Sequence, residues 1–254
     1  MIMDPFQFEK EYKIPVYDTG PDGKLSLYSL FNYLQDIASE HAVRLKFGRD
    51  DLMRENRFWV LSRIVADINI WPEWEETIVV RTWPRGTEKL FALRDYEVLY
   101  PDGRHIASGS SSWLVVDRTT KKVQRPDEML TRFNSEISVK KSLGRNAGKV
   151  GLSSDNGQKS DHFKIKVSDL DVNLHTNNVR YIKWVTDTYD LDYTMGHSPV
   201  SLEVNYLAES VWGEEVFVRS DRETSTTSFM HSVIRSNDNR ELCRMRIDWK
   251  DCSH

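Results

Sequence analysis

The chain carries the same succession of structural signals twice, once in each half. In the first half, a short strand at residues 12–16, a turn rich in glycine and aspartate, and an amphipathic helix pattern follow one another. In the second half, residues 163–167 predict a strand, residues 168–177 a polar loop and residues 178–189 a helix. A chain with this repeat is expected to fold as two similar domains in tandem.

Each predicted helix has one apolar stripe. Apolar side chains of the first helix recur at the i, i+3, i+4 and i+7 spacing of a single helix face. They are Leu27, Leu30, Phe31, Leu34, Ile37 and Ala38. The matching side chains of the second helix are Val179, Ile182, Val185 and Tyr189. Ser26 and Asn177 are the expected N-caps, because their side-chain oxygens can accept from free backbone N–H groups.

Strand patterns follow each helix at matching places. A segment containing tryptophan and glutamate, residues 71–76 in the first half and 211–215 in the second, precedes a β-branched and aromatic run in both halves. A late run in each half contains a tryptophan, Trp113 or Trp249. The run around Trp249 alternates apolar with charged residues, which is typical of a half-buried antiparallel strand.

Each half therefore combines one helix with several antiparallel strands. Residues 101–103 and 237–239 predict hairpin turns between such strands. A helix has one apolar face, and a strongly twisted sheet can wrap around it. The sequence predicts an α+β fold, a tandem double hot-dog in which each half is a long helix wrapped by an antiparallel sheet. The pattern alone leaves other helix-plus-sheet layouts open.

Loop-forming residues mark a boundary between the halves. The prediction is an N-terminal hot-dog at residues 1–130, a linker at residues 131–159 and a C-terminal hot-dog at residues 160–254. Glycine, serine and asparagine are frequent in the linker, as they are in loops.

Basic residues cluster in that linker. Lys140, Lys141 and Arg145 occur there with no aspartate or glutamate between them. A solvated linker is the simpler interpretation. The alternative is part of a docking surface for an acidic partner.

Composition narrows the function classes. The 35 lysines and arginines are balanced by 39 aspartates and glutamates, so the overall charge gives no reason to expect nucleic-acid binding. Cys243 and Cys252 alone cannot form a disulfide framework, nor a four-ligand zinc site without several histidines, so we expect no metal and no cofactor. No apolar run approaches the roughly 20 residues needed to span a bilayer. We expect a soluble, cytoplasmic protein without a membrane span.

The densest group of polar side chains lies in the loop before the second predicted helix. Asp171, Asn173 and His175 are each two residues apart, so their side chains point to one side of an extended loop. The positive end of the helix dipole and free N–H groups stabilise negative charge there, including the oxyanion that forms when a carbonyl group is attacked. Capping and turn formation would explain the aspartate and asparagine but leave the histidine unexplained.

Attack by water also requires a general base, and Glu209 is a candidate. It lies in the segment 201–210, where a strand would bring it back across the second helix. Sequence spacing does not show that Glu209 meets His175. Without further information, Glu209 is interpreted as a surface glutamate.

Residues 170–182 resemble the signature of the acyl-ACP thioesterases, the plant FatA and FatB enzymes and their bacterial relatives. The first half agrees, because residues 30–36 resemble the family's first helix, residues 58–63 the strand after it and residues 111–113 a later strand. The resemblance spans roughly residues 8–250 and includes the repeat. It implies the double hot-dog fold and hydrolysis of a fatty-acyl thioester carried on acyl carrier protein.

The resemblance also implies residue roles. Asp171, Asn173 and His175 match the family's catalytic loop, and Glu209 matches its catalytic glutamate. The plant enzymes usually have a cysteine after that glutamate, whereas this chain has Ser210, which argues against an obligatory thiolate. The implied mechanism is attack by water, with Glu209 as general base and Asp171 orienting the other two residues.

Substrate and partner contacts follow from the same resemblance. The acyl chain is expected in the N-terminal half near Trp59. Asn177, besides its expected capping role, is a candidate substrate contact. Acyl carrier protein is acidic, so basic residues are candidate contacts. They are Lys140, Lys141, Arg145, Arg180 and Lys183.

Three other functions stay open on the sequence. One is a thioesterase that acts on acyl-CoA, and another is hydration or dehydration of an acyl thioester. The third is a non-catalytic acyl-binding module. The presence of Asp171, Asn173 and His175 in one loop argues against it. Chain length and saturation of the acyl group depend on pocket depth, which the sequence does not give.

Overall fold

The computed structural model describes residues 6–126, 140–153, 157–222 and 227–252. Residues up to Ala147, apart from residues 26–29, form a first compact unit, and residues from Gly148 onward belong to a second. The division falls within the predicted linker at residues 131–159, part of which lies outside the described residues. The bounds of the linker stay a prediction.

The first unit consists of an antiparallel sheet and a long helix. Its strands are β1 (Phe8–Lys13), β2 (Arg57–Ile68), β3 (Thr77–Glu88), β4 (Phe91–Leu99), β5 (His105–Asp117) and β6 (Val123–Gln124). Its helices are α1 (Leu27–Arg44) and α2 (Arg49–Arg54). The strands are hydrogen-bonded in the order β1-β3-β4-β5-β2, all neighbours are antiparallel, and β6 pairs with β5.

Helix α1 buries the apolar stripe that its sequence predicts. Leu30, Leu34 and Ile37 are at most 1% exposed. Full burial of an aliphatic side chain of this size contributes about 1.5–3 kcal/mol. Tyr33 of α1 stacks on Tyr12 of β1 with ring centroids 4.5 Å apart, so the helix lies against the sheet.

The second unit repeats this arrangement. Its strands are β7 (Gln158–Lys159), β8 (Phe163–Lys164), β9 (His197–Tyr206), β10 (Glu215–Arg222), β11 (Ser228–Arg235) and β12 (Glu241–Asp251). Its helices are α3 (Asn178–Thr186) and α4 (Leu191–Gly196). The strands are antiparallel in the order β9-β12-β11-β10, and the short strands β7 and β8 both pair with β10.

The predicted α+β double hot-dog is confirmed, since each unit packs a helix with an antiparallel sheet. Both predicted hairpin turns form. Residues 101–103 separate β4 from β5, and residues 237–239 separate β11 from β12. Gly103 and Asn239 have φ of +89° and +54°, a conformation that glycine and asparagine adopt more readily than other residues.

The predicted length of the second-half helix is wrong. Helix α3 has 9 residues against 18 in α1, and it ends at Thr186 rather than at residue 189. The hydroxyl groups of Thr186 and Thr188 donate to the carbonyls of Lys183 (2.9 Å) and Val185 (2.7 Å). Such local side-chain bonds compete with continuation of a helix.

The strands predicted before the two loops end earlier than expected. Strand β1 ends at Lys13, and β8 covers only Phe163–Lys164. Short 3-10 turns, Val16–Asp18 and Val167–Asp169, stand where the predicted strands would end. In the first unit, Pro15 has no N–H group with which to extend a strand ladder.

Candidate active site

The loop that carries the predicted residues has a structural counterpart in the first unit. We call residues 170–176 the histidine loop. Within it, the N–H of Asp171 donates to the carbonyl of His175 across 2.7 Å, just as Gly20 donates to Lys24 across 2.8 Å. Because the backbones match, the residues can be paired one by one. Asp171, Asn173 and His175 have Gly20, Asp22 and Lys24 as their counterparts.

The segments that pair with the two loops also match. In the second unit, the N–H of Thr176 donates to the carbonyl of Ser210 across 2.9 Å. In the first unit, the N–H of Leu25 donates to the carbonyl of Pro72 across 2.8 Å. The residue directly before Ser210 is Glu209, whereas a tryptophan precedes Pro72. Of the two matched loops, the histidine loop alone brings together an aspartate, an asparagine, a histidine and a glutamate.

Asp171 organises the histidine loop through its carboxylate. Its Oδ1 accepts from the backbone N–H groups of Asn173 (2.8 Å) and His175 (3.1 Å). Its Oδ2 accepts from the side-chain amide of Asn173 (3.3 Å). Hydrogen bonds to an ionised acceptor are stronger than neutral ones. The structure therefore brings the three predicted residues together, with Asp171 holding the other two.

Leu174 adopts a backbone conformation that leucine rarely has. Its φ is +63°, and its side chain is 71% exposed. The counterpart in the first unit is Gly23, with φ of +75°. The left-handed region costs a residue with a Cβ roughly 1–2 kcal/mol. The bonds accepted by Asp171 hold the histidine loop in this shape, so part of the folding free energy is stored as strain.

Replacing Leu174 with glycine is expected to stabilise the folded protein by about 1 kcal/mol, because glycine adopts positive φ freely. The midpoint of thermal unfolding should rise by about 2–4 °C in calorimetry. Val172→Gly is the matched control, since Val172 is 77% exposed in the same loop but is not among the residues with positive φ. It should lower the midpoint. A lower midpoint for Leu174→Gly would contradict the assignment of strain.

His175 and Glu209 form what we call the reactive pair. The imidazole Nε2 lies 3.5 Å from the carboxylate Oε2, and the side chains are 35% and 51% exposed, so both are open to solvent. The prediction that Glu209 lies on a strand is wrong. Strand β9 ends at Tyr206, and Glu209 lies in the loop after it. A backbone bridge between His175 and Val211 holds this loop against the histidine loop.

Asn177 caps helix α3, as the sequence predicts. Its side-chain oxygen accepts from the N–H of Val179 across 3.1 Å. The helix therefore begins three residues after His175, and the positive end of its dipole lies at the end of the histidine loop. A substrate contact of Asn177 stays a prediction.

Sequence reasoning singled out Ser210 but missed that three hydroxyl groups are buried together beside the reactive pair. Ser210 hydrogen-bonds with both Thr176 and Tyr181. Two of them directly follow His175 and Glu209 in the chain, which is the signal that could have drawn attention to them.

Trp59, the predicted acyl contact, lies on β2 of the first unit. Its indole N–H donates to the carbonyl of Phe47 across 2.9 Å, and its half-buried ring packs against an apolar cluster. The members of that cluster are Phe47, Leu52, Ala92 and Val115, with Leu45 and Trp113 at its margin. Accessible indole beside apolar side chains suits an acyl chain, and the contact stays a prediction.

Four of the five predicted carrier contacts bind groups within their own unit. The partners are Glu97 for Lys140 (2.7 Å), Asp67 for Arg145 (2.7 Å), Asp187 for Lys183 (2.5 Å) and the Ser168 carbonyl for Arg180 (2.7 Å). The fifth, Lys141, is exposed. Surface ion pairs contribute only about 0–1 kcal/mol each, so an acidic partner can compete for these basic groups.

The described residues contain no group of three or more histidines, cysteines, aspartates or glutamates that could hold a metal ion. In the same residues, no helix combines the length and apolar character needed to cross a membrane. Of the two free cysteines, Cys252 is exposed and Cys243 is buried. Burial raises the pKa of the Cys243 thiol, which keeps it protonated and unreactive.

Comparison with known protein families gives matches in both halves. The acyl-ACP thioesterase N-terminal domain matches residues 5–133, and the acyl-ACP thioesterase C-terminal domain matches residues 152–251. Together the two matches cover most of the chain, and their order follows the order of the two units.

Similar proteins come from plants and bacteria. A chloroplastic acyl-[acyl-carrier-protein] hydrolase of Cuphea viscosissima is 25% identical over 98% of this chain, and the chain spans 64% of that protein's length. An oleoyl-acyl carrier protein thioesterase of Arabidopsis thaliana is 23% identical over 98% of this chain and 78% of its own length.

Two solved structures share the fold. An acyl-ACP thioesterase from Bacteroides thetaiotaomicron superposes with a TM-score of 0.88 at 24% identity, over 98% of this chain and all of its own. The 12:0-ACP thioesterase from Umbellularia californica has a TM-score of 0.86 at 21% identity, over 97% of this chain and 98% of its own.

Proposed function

Because the chain belongs to the acyl-ACP thioesterase family, we propose that it hydrolyses the thioester of fatty acyl-[acyl carrier protein]. The products are a free fatty acid and the thiol of the carrier. The observation that carries the proposal is the 3.5 Å approach of His175 Nε2 to Glu209 Oε2. A thioester hydrolase needs a base that activates water and donors that stabilise the carbonyl oxygen, and this site offers both.

Glu209 acts as the general base. A water molecule can contact Oε2 of Glu209 and Nε2 of His175 at once, because the two atoms are 3.5 Å apart and each hydrogen bond spans about 2.8 Å. Glu209 takes a proton as the water oxygen attacks the carbonyl carbon of the thioester. The tetrahedral intermediate then expels the carrier thiolate, and the proton on Glu209 passes to that thiolate.

The histidine loop stabilises the charge that develops on the carbonyl oxygen. Asn173 is exposed, and Asp171 holds both its backbone and its side-chain amide. In the proposed mechanism, the amide of Asn173 and the imidazole of His175 contact the thioester. Fixed donors of this kind lower the barrier because they need no reorganisation during the reaction. The N-terminus of α3 adds a favourable potential.

The carrier protein accounts for the selectivity that we propose. Acyl carrier protein is acidic, and charge complementarity speeds the encounter of two proteins and favours the right partner. In this proposal, the carrier contacts come from the exposed basic residues, among them Lys141 and Lys140. The acyl chain is assigned to the first unit, where Trp59 is its predicted contact.

Hydrolysis of one acyl group on two carriers tests this proposal. We expect kcat/KM to be at least about 10-fold higher for acyl-ACP than for acyl-CoA at low salt, since acyl-CoA lacks the extended acidic surface of the carrier protein. Lys141→Glu should lower kcat/KM for acyl-ACP and leave acyl-CoA unaffected. Lys122→Glu, at another exposed lysine of the first unit, is the matched control.

Each alternative function predicts a different result in that experiment. Equal kcat/KM on both carriers would indicate an acyl-CoA thioesterase. An enoyl or hydroxyacyl product without free acid would indicate hydration chemistry. Tight acyl binding with no thiol released would indicate a binding module.

A further inference from the structure

Three hydroxyl groups are buried together beside the reactive pair, and the proposed chemistry does not use them. We call Thr176, Tyr181 and Ser210 the hydroxyl triad, and these residues are 5%, 3% and 1% exposed. The hydroxyl oxygens of Tyr181 and Ser210 are 2.7 Å apart, and Ser210 donates to Thr176 across 2.8 Å. Ser210 therefore stands between the other two and hydrogen-bonds with both.

The hydroxyl triad joins the two chain segments that carry the reactive pair. Thr176 directly follows His175, and Ser210 directly follows Glu209. The backbone adds one more bond, since the N–H of Thr176 donates to the carbonyl of Ser210 across 2.9 Å. A shift of either segment therefore changes both the triad and the separation of the reactive pair.

Tyr181 ties the two segments to helix α3. Its ring meets Trp184 and Tyr206 edge-on, with centroid separations of 5.4 Å and 6.0 Å. These contacts fix the ring, and the ring fixes the position of its hydroxyl group. Burial raises the pKa of Tyr181 well above its usual range, so the hydroxyl keeps its proton.

The first unit shows that the fold does not need these hydroxyl groups. The counterparts of Thr176, Tyr181 and Ser210 are Leu25, Leu30 and Pro72, and all three are buried. The backbone bond is nevertheless kept, because Leu25 donates to Pro72 across 2.8 Å. In the first unit, which has no reactive pair, apolar side chains occupy these positions. In the second unit, which has one, hydrogen-bonded hydroxyl groups occupy them.

We propose that the hydroxyl triad is a positioning device that fixes the distance between His175 and Glu209. Hydrogen bonds have preferred lengths and angles, whereas apolar contact is non-directional, so the linked hydroxyl groups and the backbone bond between Thr176 and Ser210 resist sliding of one segment past the other. No covalent bond forms or breaks on the triad. The inference rests on the proposed hydrolysis at the reactive pair.

This role differs from that of a serine nucleophile. Ser210 is 1% exposed, and its hydroxyl is engaged by two other hydroxyl groups. A serine that attacks a carbonyl needs an adjacent base to take its proton. Neither a threonine nor a protonated tyrosine supplies one. Ser210 is therefore a positioning residue that acts through Glu209.

Tyr181→Phe and Ser210→Ala test the proposal in the full-length protein, with kcat and KM measured on acyl-ACP. We expect each variant to lower kcat by about 10-fold to 100-fold, because a displacement near 1 Å can cost about 100-fold in rate. KM should stay unchanged, since only the geometry of the reacting groups is altered. The double variant should be no slower than the worse single variant, because the groups act as one unit.

Two controls separate positioning from general loss of packing. Thr176→Ser keeps the hydroxyl group and should retain most of the wild-type kcat. Ser110→Ala removes a buried hydroxyl at a residue that is 0% exposed and has no hydrogen-bond partner for its side chain among the described residues, so it should leave kcat unchanged.

The outcomes distinguish this inference from the proposed function. Wild-type kcat in folded Tyr181→Phe and Ser210→Ala would overturn the positioning role, while an inactive Glu209→Gln would leave the hydrolytic mechanism standing. If Ser210→Ala does not fold, Tyr181→Phe alone decides, because it removes a single oxygen and keeps the ring. A wild-type protein that releases no thiol from acyl-ACP would overturn the proposed function itself.

Discussion

The Glu209→Gln protein is expected to fold normally and to hydrolyse acyl-ACP about 100-fold to 10,000-fold more slowly than the wild type, which is the usual contribution of a general base. Glutamine keeps the size of the side chain but cannot take a proton from water. The side chain is 51% exposed, so its replacement should leave the free energy of unfolding nearly unchanged. The measurement is kcat for thiol release from acyl-ACP, with circular dichroism as the check on folding.

Glu215→Gln is the matched control for that variant. Glu215 is an exposed glutamate at the start of β10 in the same unit. Its replacement makes the same change of charge and should leave kcat unaltered. Near-full activity of a folded Glu209→Gln protein would remove Glu209 from the mechanism.

The second large effect is expected for His175→Ala, which should lower kcat/KM by about 100-fold to 1,000-fold, as loss of one oxyanion-stabilising donor does. The loop should persist, because its bonds to Asp171 come from the backbone of residue 175 rather than from the imidazole. His162→Ala, at an exposed histidine of the same unit, is the matched control and should keep wild-type activity.

Added imidazole gives a sharper test of the role of His175. The native side chain is 35% exposed, so a free imidazole molecule can enter the space that alanine leaves. We expect imidazole to restore part of the activity of His175→Ala and none of the activity of Glu209→Gln. Equal stimulation of both variants, or activity of His175→Ala at the wild-type rate without imidazole, would contradict the assignment.

The features predicted correctly from the sequence are local in the chain. The apolar stripe of α1 and the cap by Asn177 depend on residues within one helix or next to it. The grouping of Asp171, Asn173 and His175 depends on a loop of seven residues, which one carboxylate closes. The fold class could be predicted as well, because both halves show the same local pattern of one helix followed by strands.

The features that were missed depend on contacts between distant residues. Glu209 reaches His175 because two loops pair through their backbones, and no spacing in the sequence encodes that pairing. The hydroxyl triad depends on the same pairing and on the packing of α3. Helix α3 ends earlier than its apolar pattern predicts, because the hydroxyl groups of Thr186 and Thr188 donate to backbone carbonyls.

The matched loops have the same backbone conformation but different side chains. Positive φ at Gly23 and at Leu174 preserves the same turn in both units, although glycine adopts it freely and leucine does not. In the first unit, a glycine, an aspartate and a lysine occupy the positions that hold Asp171, Asn173 and His175 in the second. The difference between the two matched loops therefore lies in their side chains rather than in their backbone geometry.

The most direct test of the account is a measurement of both products in one reaction. Purified protein is incubated with acyl-ACP, and free carrier thiol and free fatty acid are quantified in the same sample, with Glu209→Gln in parallel. Hydrolysis at the reactive pair predicts equal molar amounts of thiol and fatty acid from the wild type and almost none from the variant. An acyl thioester that stays intact, or a product that keeps its bond to the carrier, would contradict it.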